Sequence, residues 1–293
     1  MDVALRRSVL YVPGSNTRAL EKAADLPADA VILDLEDAVA PDNKIAARER
    51  VAAAVASGAL RGREVVARVN PLDTPWGDDD VAAMAELPLD AVLFPKVSCA
   101  DDVIDAAAAL DEAGAPRDTV LWTMVETARA LVSLPEITTA SSRLRVLVMG
   151  TSDLARELRV PALPGRPGLT PHLAHGVAAA RAAGLDILDG VHTDLEDTAG
   201  FQHVCQEGRA LGFDGKTVIH PNQIETANRC FGPDADAVAR AHRIVAAWEE
   251  AAAQGRGIAV VDGRMIERLH AEEARRVLAL DAAIRERSAG GDG

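Results

Sequence analysis

The sequence predicts a (β/α)8 barrel with a C-terminal helical extension. Eight short apolar runs alternate with Ala-rich stretches in which apolar residues recur at helical spacing. Runs such as AVILDL and RVLVMG are apolar almost throughout, which is typical of parallel strands covered by helices on both faces. Polar or charged residues follow nearly every run. This favours a barrel, because an open doubly wound sheet concentrates its site at one switch point.

The strands follow one another at intervals that leave room for one helix each. We predict strands at residues 8–12, 30–35, 64–69, 90–95, 119–125, 145–149, 186–191 and 214–219, within a barrel domain of residues 1–230. Stretches such as NTRALEKAADL, NKIAARERVAAAVASG and ADDVIDAAAALDEAG are the intervening helices.

Residues 231–293 form the predicted C-terminal segment. It contains a helix ended by Gly255, a short strand in GIAVVDG, and a second helix over RMIERLHAEEARRVLALDAAIRERS. We expect this segment to dock on a neighbouring surface, because about 60 residues are few for a core of their own.

The charge of the chain limits its partners. A net charge of -14 argues against a general nucleic-acid surface, since phosphates repel an acidic body. An anionic ligand therefore needs a local basic pocket. Arg18 and Lys22 are candidates because they lie four positions apart on one face of the first helix. The alternative is ordinary pairing with Glu21 or Asp25.

The cysteines and the N-terminus indicate the compartment. Three cysteines are widely separated and lack CxxC or metal-ligand spacing, so we expect reduced thiols. The N-terminus MDVALRRSVLYVP has no leader pattern, and no segment approaches the roughly 18 apolar residues of a membrane span. We therefore predict a cytoplasmic protein that does not enter a membrane.

Three acidic residues follow predicted strands. Asp37, Glu126 and Asp153 each come after an apolar run, in VILDLEDAV, WTMVE and VLVMGTSD. Carboxylates brought together from separate strand ends repel one another unless a cation or proton offsets the charge. A Mg²⁺ site at Glu126 and Asp153 is one interpretation. In the other, these two acids cap the helices that follow them.

Two further strand ends carry charge. Asp34 and Glu36 alternate onto one face near the barrel mouth, where they either hold metal-bound water or pair with Lys44 and Arg48. Arg68 ends the third strand, where its guanidinium offers a fixed fork for a carboxylate or an oxyanion. An internal ion pair between Arg68 and a site acid is equally compatible with the sequence.

Lysine chemistry is a competing mechanism. Lys96 and Lys216 fall at predicted strands, so a Schiff-base aldolase is considered. We disfavour it because the many carboxylates of the mouth would keep an ammonium protonated. The sequence contains no P-loop, no GxGxxG after a strand and no GxSxG motif, which removes the commonest nucleotide and serine-hydrolase interpretations.

A series of motifs resembles a known family. The blocks RSVLYVPGSN, ILDLEDAVAPDNKIAAR, VARVNP, LFPKV, MVET, LVMGTSDLA, GFDGKTVIHPNQI and VVDGRMIE occur in this order along the chain. Together they resemble the citrate lyase beta-subunit-like branch of the HpcH/HpaI aldolase family, which also contains malyl-CoA and citramalyl-CoA lyases.

The resemblance implies a chemistry. It implies a TIM barrel that binds Mg²⁺ and cleaves a 3-hydroxyacyl-CoA ester to a 2-oxo acid and acetyl-CoA by a retro-Claisen reaction. Glu126 and Asp153 correspond to the family's metal ligands, and Arg68 to the arginine that binds the keto-acid carboxylate. We expect Glu36 and Asp37 to take part in catalysis beside them.

The resemblance also implies partners. We expect Arg18, Lys22 and Pro221 to contact the CoA of the substrate, and the chain to form a homotrimer. The C-terminal segment is similar to a lid that crosses to the neighbouring subunit and presents an acid in a G-x-M-I-D block. Here that block ends in Glu267, and a carboxylate one carbon longer either serves as the acid/base group or indicates different chemistry.

Alternatives from other classes stay open on the sequence. A CoA thioester hydrolase, a non-catalytic CoA-binding accessory protein and a class II aldolase acting on free 4-hydroxy-2-oxo acids are compatible with this fold. The acyl group is open as well, because malyl, citramalyl and citryl esters differ only in small substituents.

Overall fold

The computed structural model describes residues 3–161 and 163–290. The chain divides into two compact units. The first spans residues 6–228, and the second contains the chain from Arg229 onward together with the residues before Arg6.

The first unit contains a closed barrel of eight parallel strands, β1 to β8 in chain order, with β1 pairing with both β2 and β8. The strands are β1 Ser8–Pro13, β2 Ala30–Asp34, β3 Glu64–Arg68, β4 Ala91–Val97, β5 Val120–Val125, β6 Leu144–Met149, β7 Asp186–Asp189 and β8 Gly215–Val218. The predicted (β/α)8 fold is confirmed, and every predicted strand end lies within two residues of the observed one.

Helices connect the strands, as parallel pairing requires. They are α1 Thr17–Ala23, α2 Lys44–Ala56, α3 Gly77–Ala85, α4 Ala100–Glu112, α5 Ala128–Val132, α6 Leu134–Thr139, α7 Thr151–Glu157, α8 Thr170–Ala182, α9 Thr198–Leu211 and α10 Ile224–Phe231. Short 3-10 turns occupy Pro41–Asn43 and Pro221–Gln223.

Alternate strand residues fill the barrel interior. Ile32 of β2 and Val66 of β3 belong to one buried apolar cluster inside the barrel. Two residues further along, Asp34 and Arg68 face the same way, and the register pairs them directly. The apolar rows of the core therefore end in charged side chains at the carboxyl ends of the strands.

The second unit consists of two helices and a hairpin. These are α11 Ala235–Ala253, β9 Ala259–Val261, β10 Arg264–Ile266 and α12 Arg268–Gly290. The expected helix over RMIERL is wrong in its first part, because Asp262 and Gly263 both have positive φ, 50° and 74°. A two-residue Asp-Gly turn of this kind closes an antiparallel hairpin, so residues 264–266 form a strand.

This unit has a small core of its own. Ile244 of α11, Val261 and Ile266 of the hairpin, and Ala274 of α12 are buried in one apolar cluster, with Trp248 packed against it. The expectation that the segment is too short for a core is therefore wrong, because two long helices and a hairpin enclose apolar side chains between them. Within the described residues, no helix combines the length and the apolar character that a membrane span needs.

Candidate active site

A cavity of about 400 Å³ opens at the carboxyl ends of the barrel strands. Its wall combines apolar side chains with the predicted charged ones: it includes Tyr11, Asp34, Asp37, Arg68, Met124, Glu126, Met149, Asp153 and Ile219. A concave site with a few convergent polar groups at this end of a barrel is the usual place for an active site.

Glu126 and Asp153 lie at this cavity as predicted. Glu126 directly follows β5 and is only 1% exposed, while Asp153 lies in the first turn of α7. Neither acid caps the helix after it: the side chain of Thr127 caps α5, and α7 has no side-chain cap. The structure therefore removes the capping alternative for both residues.

Gly150 makes room for Glu126. A Cβ atom at position 150 would lie 2.4 Å from Glu126 Cβ and 2.7 Å from Glu126 Oε2. Real Cβ atoms do not approach other atoms so closely, and Gly150 is therefore required for the observed position of the Glu126 carboxylate.

Arg68 is held by acids of β2 and the loop after it. Its Nε and Nη2 donate to the two carboxylate oxygens of Asp34 at 2.7 and 2.6 Å, and its Nη1 lies 2.9 Å from Glu36 Oε2. The guanidinium also stacks 4.9 Å from the ring centre of Tyr11. The alternative of an internal ion pair is correct for Arg68. Asp34 occupies two of the three guanidinium nitrogens, and a ligand at Nη1 would have to replace or share the contact with Glu36.

The alternative in which Asp34 and Glu36 pair with Lys44 and Arg48 is wrong. Lys44 Nζ donates to the carbonyl oxygens of Leu35 and Glu36 and to Asn70 Oδ1. Arg48 pairs with acids at the start of α3, Asp79 and Asp80. The two cations have other partners because α2 lies outside the barrel. From there Lys44 reaches the backbone of the loop after β2, and Arg48 reaches α3.

Lys96 lies among the carboxylates of the mouth, as expected from its place at a predicted strand. Its Nζ lies 3.7 Å from Glu36 Oε1 and Asp37 Oδ2, 3.5 Å from Glu126 Oε1 and 3.3 Å from Asp153 Oδ2. Its backbone N–H also donates to Glu126 Oε1 at 2.7 Å. The residue has a φ of 57°, in the left-handed region.

The surroundings of both lysines disfavour a Schiff-base nucleophile. Burial lowers the pKa of Lys96. The negative charges of the four nearby carboxylates raise it by more than burial lowers it, so the pKa lies above its ordinary value; these are Glu126, Glu36, Asp37 and Asp153. Lys216 is fully buried and pairs with Asp189 at 2.8 Å. The aldolase mechanism therefore stays disfavoured, because Lys96 is surrounded by carboxylates that raise its pKa and Lys216 is not accessible.

The carboxylates of the mouth respond differently to their surroundings. Burial raises the pKa of Glu126, although Lys96 and Arg68 oppose this. Burial raises the pKa of Glu36 to about 7, against the opposing charges of Arg68 and Lys96. Glu36 Oε2 is buried and has no aligned hydrogen-bond donor, whereas the side chain of Asp37 is 61% exposed.

The donor set fits a hard divalent cation. The connected ion pairs contain five carboxylates and three cations, Arg68, Lys96 and Arg156, which leaves an excess of two negative charges when all are ionised. One ammonium nitrogen lies within 3.5 Å of an oxygen of both Glu126 and Asp153, so a single cation reaches both. Among the described residues no group of three or more His, Cys, Asp or Glu side chains forms a complete metal site. Two carboxylates suit Mg²⁺, which usually keeps several waters.

The other predicted residues lie outside the cavity wall. Arg18 and Lys22 are exposed on α1, and no ion pair to Glu21 or Asp25 occurs within the described part of the chain. Pro221 is exposed in the 3-10 turn that follows Ile219.

Glu267 belongs to the second unit. It lies between β10 and α12, half-buried, and its backbone N–H donates to His270 Nδ1 at 3.0 Å. Within residues 3–161 and 163–290, its carboxylate forms no ion pair with an arginine.

Comparison with known proteins connects this site to a family. The profile described as HpcH/HpaI aldolase/citrate lyase matches residues 7–221. The chain belongs to the HpcH/HpaI aldolase/citrate lyase family. Within this family it is similar to a (3S)-malyl-CoA thioesterase of Cereibacter sphaeroides strain ATCC 17025, with 48% identity over 278 residues and 95% of each chain covered. It is also similar to citrate lyase subunit beta of Escherichia coli strain K12, with 35% identity over 278 residues, 93% of this chain and 92% of the other.

Solved structures agree with the family and the barrel. The structure of CitE from Mycobacterium tuberculosis in complex with magnesium, acetoacetate and coenzyme A is similar at a TM-score of 0.75 and 29% identity, covering 95% of this chain and 98% of that one. RipC from Yersinia pestis is similar at a TM-score of 0.68 and 29% identity, covering 80% of this chain and 99% of that one. The family resemblance predicted from the sequence motifs is confirmed.

Proposed function

We propose that the protein is a Mg²⁺-dependent hydrolase of a short 3-hydroxydicarboxylic acyl-CoA ester, with malyl-CoA as the first candidate substrate. The observation that carries the choice is the 48% identity to (3S)-malyl-CoA thioesterase along 95% of both chains, against 35% to citrate lyase subunit beta. The acidic mouth and the guanidinium of Arg68 at the cavity wall support a substrate that offers oxygen ligands to a metal and a carboxylate to an arginine.

Glu126 and Asp153 would hold the metal. Their oxygens are hard donors that one cation can reach together, and Gly150 leaves the space that Glu126 needs. Mg²⁺ supplies Lewis-acid stabilisation of substrate oxygens on which negative charge develops.

Arg68 would bind the substrate carboxylate through Nη1. The bidentate contact with Asp34 fixes the guanidinium plane, so that nitrogen points the same way before and after binding. Tyr11 stacks on the guanidinium of Arg68 and further restricts the orientations that the guanidinium can adopt.

Asp37 and Glu36 would handle protons. In hydrolysis a water oxygen bonds to the thioester carbonyl carbon, the C–S bond breaks, and the sulfur leaves as the CoA thiol after gaining a proton. Asp37 is exposed at the cavity and can accept the proton of that water. Glu36, with a pKa of about 7, can take up or release a proton near neutral pH.

The CoA contacts and the lid remain part of the proposal. Arg18 and Lys22 present two unpaired cations on one face of α1, which suits the phosphates of CoA, and Pro221 lies beyond β8. We propose a cytoplasmic homotrimer in which Glu267 of one subunit serves the site of its neighbour. Mixing Glu267→Gln subunits with Arg68→Ala subunits should restore activity in mixed trimers. A mixture without recovery would contradict shared sites.

Carbon–carbon cleavage is the second candidate. The match to the HpcH/HpaI aldolase/citrate lyase profile and the similarity to citrate lyase subunit beta favour it. In this reaction the bond between the hydroxyl-bearing carbon and its neighbour breaks, the hydroxyl loses a proton, and the acetyl-CoA enolate gains one.

One assay separates the two reactions. Malyl-CoA is incubated with the protein and Mg²⁺ while a thiol reagent detects free CoA and phenylhydrazine detects glyoxylate. Hydrolysis predicts free CoA and malate without glyoxylate. Glyoxylate and acetyl-CoA without free thiol would support the lyase, and no product at all would contradict both.

A pair of variants assigns the activity to the site. Glu126→Gln should abolish Mg²⁺-dependent turnover, because an amide is a poor ligand for Mg²⁺. Glu136→Gln is the matched control, since Glu136 is exposed on α6. Turnover retained by Glu126→Gln would contradict the assigned metal site.

A further inference from the structure

Lys96 is the unexplained cation of the mouth. Its ammonium lies within 3.7 Å of four carboxylates that come from three separate segments of the barrel. The shortest of these distances, 3.3 Å, is to Asp153, and the next, 3.5 Å, is to Glu126. The lysine thus contacts both of the residues proposed to hold Mg²⁺.

The backbone at Lys96 favours glycine, yet the chain has a lysine there. A φ of 57° costs free energy for a residue with a Cβ atom. The same conformation directs the Lys96 N–H to Glu126 Oε1 at 2.7 Å. Glycine would keep this hydrogen bond without strain. The lysine side chain must therefore contribute something that offsets the free-energy cost of the positive φ.

The ammonium offsets repulsion between the acids. Four partly buried carboxylates at these distances repel one another strongly when no cation is present. The Lys96 side chain is 34% exposed, so it can leave toward solvent without opening the core. It therefore behaves as a cation that can be exchanged for another one.

We propose that Lys96 is a positioning residue that acts as an exchangeable counter-cation: it holds the four carboxylates together before the metal binds, and it competes with the metal for them. This inference rests on the proposed Mg²⁺ site. Its consequence is that Lys96 stabilises the metal-free protein and weakens Mg²⁺ binding.

The experiment makes two measurements on variants and on the unchanged protein, both in the absence of CoA. Calorimetry gives the Mg²⁺ affinity, and thermal unfolding gives the unfolding temperature with and without Mg²⁺. Lys96→Met keeps the length of the side chain and the backbone strain but removes the charge. We expect it to bind Mg²⁺ on the order of tenfold more tightly than the unchanged protein. Its unfolding temperature should fall without Mg²⁺ and recover at saturating Mg²⁺. Lys96→Arg, which retains the charge, should keep the metal-free unfolding temperature.

Two controls define the signal. Arg50→Met removes one exposed positive charge from α2 and should leave Mg²⁺ affinity unchanged. Glu126→Gln should remove the calorimetric signal, which assigns it to this site. Absence of Mg²⁺ binding in the unchanged protein would overturn both the metal site and the inference.

Two results would overturn the inference about Lys96 without overturning the proposed Mg²⁺ site. Equal or weaker Mg²⁺ binding by Lys96→Met, with normal binding by the unchanged protein, would overturn it and leave the metal site standing. A fall in unfolding temperature that persists at saturating Mg²⁺ would overturn it as well. If Lys96→Met folds neither with nor without Mg²⁺, Lys96→Gly, which accepts the positive φ, takes its place under the same criteria, and its failure to fold with Mg²⁺ also overturns the inference.

Discussion

Glu36 should make the metal-free protein less stable as the pH rises. Burial raises its pKa from 4.5 to about 7 in the folded protein. Between these two values the folded protein binds a proton that the unfolded chain has lost, so stability decreases as the pH increases. Once Glu36 is ionised in both the folded and the unfolded protein, it lowers the free energy of unfolding by up to about 3 kcal/mol. About 2 kcal/mol of it develops between about pH 5 and about pH 8.

Glu36→Gln removes this pH dependence because an amide does not titrate. We expect the free energy of unfolding of Glu36→Gln, relative to the unchanged protein, to rise by about 2 kcal/mol between about pH 5 and about pH 8. Urea unfolding in the presence of a chelator measures it, and titrating groups that do not interact with Glu36 cancel in the difference. Glu49→Gln is the control, since Glu49 is exposed on α2. A difference that is constant with pH, or that falls, would refute the reasoning.

Three further variants test the packing and the charges of the barrel. Gly150→Ala should displace Glu126, cost about 1–3 kcal/mol of stability and weaken Mg²⁺ binding in calorimetry; unchanged affinity would contradict the close contact. Asp189→Asn should leave the buried Lys216 unpaired and cost about 3–5 kcal/mol in urea unfolding, and a cost below about 1 kcal/mol would show that the pair is not needed. Arg68→Lys loses the planar fork and should reduce kcat/KM on the order of a hundredfold, so full activity would count against the assigned carboxylate contact.

The barrel was predictable because its strands are buried on both faces. Apolar runs such as those around Ile32 and Val148 predict buried strands rather than exposed segments. The turns beside them contain Gly, Pro and Asp. The hairpin at Asp262 and Gly263 was missed because each of its strands has only three residues. The apolar residues after the turn continue the helical spacing of α12, although the Asp-Gly pair was the signal for a turn.

The site was predictable where topology alone decides. Glu126, Asp153 and Arg68 converge because strand ends of a closed parallel barrel meet at one rim. The partners of Lys44 and the hydrogen bond from the Lys96 N–H to Glu126 depend on the direction of α2 and on a left-handed φ. Neither follows from residue type or spacing, so the sequence did not indicate them.

A crystal structure of the protein grown with saturating Mg²⁺ tests the central claim most directly. We predict one octahedral Mg²⁺ ion with an oxygen of Glu126 and an oxygen of Asp153 at about 2.1 Å. We also predict that the ammonium of Lys96 lies farther from both than the present 3.5 and 3.3 Å. An ion bound elsewhere, or a mouth without density for an ion between these two carboxylates, would contradict the account.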